Sequence, residues 1–143
     1  MKVFETQRKI AASAQDIFRI FEDPQLLAKW WGPDGFTCTF QLFEFKPQGK
    51  WVFIMHGPDG TNYPNEMIFR EILAPNKIVL RHTVEPYFTL TVSIEGGKDG
   101  AVLKWQQDFD SEEIAGNIAH IVKPANEQIM EKIRGLVAQV TPK

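Results

Sequence analysis

The sequence predicts an α+β fold: a curved antiparallel β-sheet of six to seven strands wrapped around a long C-terminal α-helix, with two short helices near the N-terminus. Three observations carry this. From residue 36 to residue 109 apolar and polar residues alternate, with turn residues at regular spacing. Helical spacing of apolar residues is confined to 13–33 and to the tail beyond 110. The aromatic content is high, with 11 Phe, 4 Trp and 2 Tyr against three His and one Cys. Segregated strand and helix patterns mark α+β rather than alternating α/β architecture.

The elements follow in order. Residues 2–10 read as a strand. Ser13 is placed to cap a helix that buries Ile17, Phe18 and Phe21, with Asp16 in its first turn. Asp23-Pro24 restarts a short helix, with Leu26, Leu27, Trp30 and Trp31 as its apolar face and Gly32-Pro33 as its end. Strands are expected at about 37–45, 50–56, 63–73, 77–84, 87–95 and 101–109, separated by turns such as Pro47-Gln48-Gly49 and Gly57-Pro58-Asp59-Gly60. Asp110 with Glu113 has capping-box spacing for the last helix. Pro124 is expected to kink or divide that helix, and Ile129, Ile133, Leu136, Val137 and Val140 continue its apolar stripe.

No repeat or linker divides the chain, so residues 1–143 are expected to form one domain. Sixteen basic against 18 acidic residues, net −2, argue against nucleic-acid binding. A single cysteine, Cys38, excludes an internal disulfide and fits a reducing cytoplasm. No apolar run approaches the roughly 20 residues of a membrane span, and Met1–Glu5 lacks a signal-peptide segment. A cytoplasmic location is therefore expected. His-x-x-x-His and Cys-x-x-Cys spacings, a Walker loop and a Gly-x-Ser-x-Gly elbow are all missing, so no metal or cofactor is expected.

A sheet of this size curves, and one helix cannot fill its whole concave side. A groove or cavity is expected between sheet and long helix. Alternation gives its candidate lining: Trp51, Phe53 and Met55, then Met67 and Phe69, then Ile78, Leu80 and His82. Phe88, Leu90 and Val92 follow, then Leu103, Trp105 and Gln107, with Met130 and Ile133 on the helix and Trp30 and Trp31 closing one end. The mixture of Met, Trp, His and Gln suits an adaptable pocket better than a jigsaw core.

At Asp23-Pro24-Gln25-Leu26-Leu27-Ala28-Lys29-Trp30-Trp31-Gly32-Pro33 the chain resembles the START-like (SRPBCC, birch-pollen-allergen-like) superfamily. Within it the chain is similar to bacterial homologues of the C-terminal domain of the activator of the heat-shock chaperone ATPase. Gly49-Lys50-Trp51, Met55-His56-Gly57-Pro58-Asp59-Gly60 and Tyr63-Pro64-Asn65-Glu66 also match that pattern. The resemblance implies the helix-grip fold over essentially the whole chain. It implies less about activity, because the superfamily holds ligand carriers, enzymes and co-chaperones. Ala12-Ser13 in place of Ala-Pro, and Pro124 inside a usually continuous helix, depart from the family pattern.

Three functions follow as expectations. The first is binding of a small hydrophobic or aromatic molecule in the cavity. The second is an enzyme of cyclase or hydrolase type using His82, or His56 paired with Glu66 beside Tyr63. The third, implied only by the resemblance, is a stress-related partner of a chaperone ATPase. Glu66 also stands as a candidate polar group among Met67 and Phe69. Arg70 and Arg81 read as solvated charges on the outer face, Cys38 as a buried thiol and His120 as peripheral. A homodimer is compatible with each function, though no segment visibly encodes it.

Overall fold

A computed structural model describes residues 2–141. Seven strands form one sheet: β1 (Val3–Ile10), β2 (Thr37–Phe43), β3 (Lys50–His56), β4 (Asn62–Leu73), β5 (Lys77–His82), β6 (Phe88–Gly97) and β7 (Gly100–Phe109). The helices are α1 (Ala14–Glu22), α2 (Pro24–Trp30) and α3 (Glu112–Val140). The strand order is β1-β7-β6-β5-β4-β3-β2, every neighbour antiparallel. This is the helix-grip arrangement, with α3 against the concave face and α1–α2 inserted between β1 and β2. Among the described residues no helix is long and apolar enough to cross a membrane.

Local chemistry sets the early elements. Ser13 caps α1 by accepting a bond from the Asp16 amide at 3.1 Å. Asp23 ends α1 and caps α2, its carboxylate accepting from the Gln25 amide at 2.9 Å with Pro24 in the first turn. In the sheet, the register lines up Trp51, Met67, His82, Phe88 and Phe109 across five adjacent strands. Phe69, Leu80, Leu90, Gln107 and Phe4 make a parallel row. Two bulges, at Gln41 and Arg70, shift this pattern. The second brings Ile72 onto the same face as Phe69, three residues away, where strict alternation would turn it out.

Two clusters form the interior. The larger joins the concave face of the sheet to α1, α2 and the C-terminal half of α3, where Ile129, Met130, Ile133, Leu136 and Val137 are buried. The smaller contains Phe4, Phe109 and Ala115, with Ile118, Ala119 and Val122 packed on it. Phe88 packs against both. At the edge of the sheet Arg8 donates to Glu131 at 2.7 Å and Glu127 at 2.6 Å, tying β1 to α3.

Three expectations are corrected. Ser111, not Asp110, caps α3, accepting from the Ile114 amide at 3.2 Å. The Asp110 carboxylate is instead taken by Arg81 in a two-pronged bond of 2.7 and 2.6 Å, so Arg81 is a half-buried clamp rather than a solvated charge. Pro124 does not divide α3, which runs unbroken from Glu112 to Val140.

Candidate ligand groove

Side chains from α1 and α2 decide how much of the concave face stays open. Trp30 is fully buried and its indole N–H donates to the Ile20 carbonyl at 3.0 Å. It packs edge-on against Phe21 and Trp105, with ring centres 4.8 and 6.1 Å away. Trp31 ends α2 and stands edge-on to Trp51 at 4.7 Å and tilted to Trp105 at 6.0 Å. Gly32 follows with φ +107°, a turn that favours glycine, and its carbonyl is held by Lys132 at 3.0 Å.

Trp31 divides the concave side into two spaces. On its inner side Phe21, Leu27, Phe45, Trp51, Phe69, Ile78, Leu80, Leu90 and Val92 close around about 10 Å³. That is near the lower limit of ~10–15 Å³ for a single water, so this space is packed core. On its outer side a groove of about 200 Å³ lies between the sheet, the Trp31–Pro33 segment and α3. Met55, Phe88, Leu90 and Trp105 form the sheet wall, and Ile121, Val122, Ala125 and Ile129 the helix wall. Gln107 and Asn126 face each other across it, with the Asn126 amide donating to the Gln107 carbonyl oxygen at 3.1 Å.

The sequence candidates therefore separate. Trp31, Met55, Phe88, Trp105 and Gln107 line the groove. Trp51 and Phe69 border the filled void, while Phe53, Met67, Met130, Ile133 and Trp30 are core. The reason is steric: the aromatic side chains of α1 and α2 occupy the middle of the concave face. Trp51 and Trp105 bury their indole N–H groups without a hydrogen-bond partner among the described residues, a state costing roughly 1–3 kcal/mol each.

The candidate acid–base groups lie elsewhere. His82 is 5% exposed, with Nδ1 2.7 Å from the Pro86 carbonyl and Nε2 2.6 Å from Asn65 Oδ1. It stacks on Phe88 at 4.5 Å and is not itself among the residues that line the groove. His56 is bound on the outer face to Asn62 and Thr39, both at 2.7 Å. Its register partner is Asn62, whereas Glu66 pairs with Val52, so strand geometry separates His56 from Glu66. Alternation turns Glu66 opposite to Met67, and its carboxylate accepts the Thr83 hydroxyl at 2.8 Å. Tyr63 is 45% exposed near Phe36. Cys38 is half-buried rather than buried, its thiol 3.7 Å from the Ala28 carbonyl, and burial raises its pKa. His120 is exposed on α3.

Asn126 is the polar groove residue that sequence reasoning missed, and Ile121, Val122, Ala125 and Ile129 beside it were likewise not among the expected lining. Asn126 is 7% exposed and sits on the stripe continued by Ile129 and Ile133, so its helical spacing marks it as an inward polar side chain. Asn65, the partner of His82, carries no comparable signal.

A curved sheet gripping a long helix, with an apolar groove at one end, defines a START-like helix-grip protein. The family model described as "Activator of Hsp90 ATPase homolog 1-like protein" matches residues 11–138, and the chain belongs to that family. Its fold is similar to that of a protein from Arthrobacter aurescens, with TM-score 0.89, 25% identity, and coverage of 98% of this chain and 88% of that one. It is also similar to a protein from Chromobacterium violaceum, with TM-score 0.85, 19% identity and full coverage of both chains. An AHSA1-like protein from Aeromonas hydrophila shares the fold with TM-score 0.75 and 13% identity, covering 94% of each chain. Among curated proteins none matches the chain significantly.

Proposed function

We propose that this protein binds a small hydrophobic or aromatic molecule in the groove between Trp31, the sheet and α3. The observation that carries the reading is the lining itself. Tryptophan, phenylalanine, methionine and isoleucine walls surround a single amide pair, the composition of a binding site rather than of a solvated surface. At about 200 Å³ it is smaller than the ~300–1,000 Å³ of sites for drug-sized ligands, so a molecule of one or two rings fits. Binding is favoured over catalysis because none of the lining residues is titratable.

Ala125 stands in the helix wall and is partly exposed, so Ala125→Phe fills the groove at little cost to the core. Titration with naphthalene is expected to quench intrinsic tryptophan fluorescence saturably in the wild type. The response should weaken at least tenfold in Ala125→Phe. Equal quenching in both proteins would mean that the probe binds elsewhere.

A further inference from the structure

The groove combines three features that restrict its occupant further, given that it is the binding site. First, every side chain lining it is uncharged. An ion placed there would leave water for a wall of Trp, Phe, Met and Ile with no counter-charge, which is strongly unfavourable. Second, the bond between Asn126 and Gln107 uses one amide N–H and one carbonyl oxygen. It leaves the other carbonyl and the other NH₂ with no further partner among the described residues. Exchanging the oxygen and nitrogen positions of both amides preserves that outcome, because the pair still offers one acceptor and one donor. Third, the sheet wall beside Gln107 is formed by Trp105, two residues away, which offers an aromatic surface to a planar occupant. The groove thus holds unmet hydrogen-bonding capacity on an apolar background.

The geometry points to an uncharged, planar ring compound that carries a donor and an acceptor side by side, as in a lactam or a carboxamide. Its ring lies against Trp31, Phe88 and Met55, and its polar edge meets the Gln107–Asn126 pair. Each bond on that edge forms against Trp, Phe, Met and Ile walls, where it separates matched from unmatched ligands more than a bond on the open surface would.

The test uses four probes of similar ring size on the full chain: 2-quinolone, 1-methyl-2-quinolone, naphthalene and 2-naphthoate. Affinity is read by calorimetry and location by the indole N–H resonances in ¹⁵N-correlated spectra. 2-Quinolone, with donor and acceptor adjacent, is expected to bind about tenfold tighter than naphthalene. 1-Methyl-2-quinolone, without the donor, should lose most of that gain, and the 2-naphthoate anion should bind weakest. The Trp105 indole resonance should shift with 2-quinolone. In the double variant Gln107→Leu/Asn126→Leu, whose apolar replacements keep the side-chain volume, 2-quinolone and naphthalene should become equal. Naphthalene matching 2-quinolone in the wild type would overturn the polar-edge assignment while leaving the groove as the binding site. 2-Naphthoate binding tightest would overturn the uncharged class. Absence of binding by all four would remove the groove reading itself, and this inference with it.

Discussion

His82, a candidate acid–base group in the sequence, has both of its ring nitrogens occupied in the fold. Its two ring nitrogens meet oxygens of Pro86 and Asn65, and Phe88 covers one face of the ring. Burial pushes its pKa below the ordinary value, against the opposing pull of the Pro86 and Val84 carbonyls. A depressed histidine pKa means that the folded state binds the proton less readily than the unfolded chain. Its contribution to stability is therefore full above an unfolded pKa of about 6.5 and falls away as pH drops through and below that value. Melting temperatures measured from pH 8 to pH 5 are expected to fall on the acid side. His82→Gln, which keeps a donor for one of the two oxygens, should be less stable at pH 8 but show a shallower acid decline. An unchanged decline would place the pH sensitivity elsewhere.

At the scale of elements, the turn between β2 and β3 explains why the Gly49-Lys50-Trp51 pattern begins with glycine. A Cβ on Gly49 would stand 2.0 Å from the Glu44 carbonyl oxygen and 2.9 Å from that of Lys46. Both are backbone atoms, and the same turn is bonded to β4 through Gln48 to Phe69 at 2.6 Å and Phe69 to Gly49 at 3.0 Å. Gly49→Ala must displace main chain at the start of the strand that carries Trp51 and Phe53. A loss of about 1–3 kcal/mol is expected, visible as a lower denaturation midpoint. Gly60→Ala, with open space around its Cβ, gives a comparison governed by φ +86° alone.

Element order and strand positions were legible because period-two alternation and turn residues are local signals. The bulge at Arg70 and the cap at Ser111 were not. The first is a register property of two paired strands. The second depends on Asp110 being taken by Arg81, 29 positions away in sequence. The site was legible in part, for the same kind of reason. Alternation identified the concave face, including Met55, Phe88, Trp105 and Gln107. It could not show that Trp31 would divide that face, which depends on the angle at which α2 enters the sheet.

For the whole molecule, the two clusters of the interior differ in size, and α3 rests on both. Its C-terminal half is held by five buried side chains of the large cluster, its N-terminal half chiefly by Ala115 with Ile118, Ala119 and Val122. Between them stands Pro124, which cannot donate to the His120 carbonyl one turn back. Local opening follows the density of buried contacts, so amides of residues 114–122 are expected to exchange with deuterium faster than those of 129–137. Uniform protection along α3 would show instead that the helix behaves as one unit.

Phe88 packs against both clusters and also forms part of the groove wall. The groove therefore lies along the seam where a well-anchored body meets a lightly anchored one. A molecule seated there would touch Ile121 and Val122 on one side and Trp31 and Ile129 on the other. Occupancy would act as mortar between the two, raising deuterium protection in residues 114–120, beyond the direct contacts at Ile121 and Val122. Affinity for the guest and cooperativity of the helix would then be a single quantity, measurable from either end.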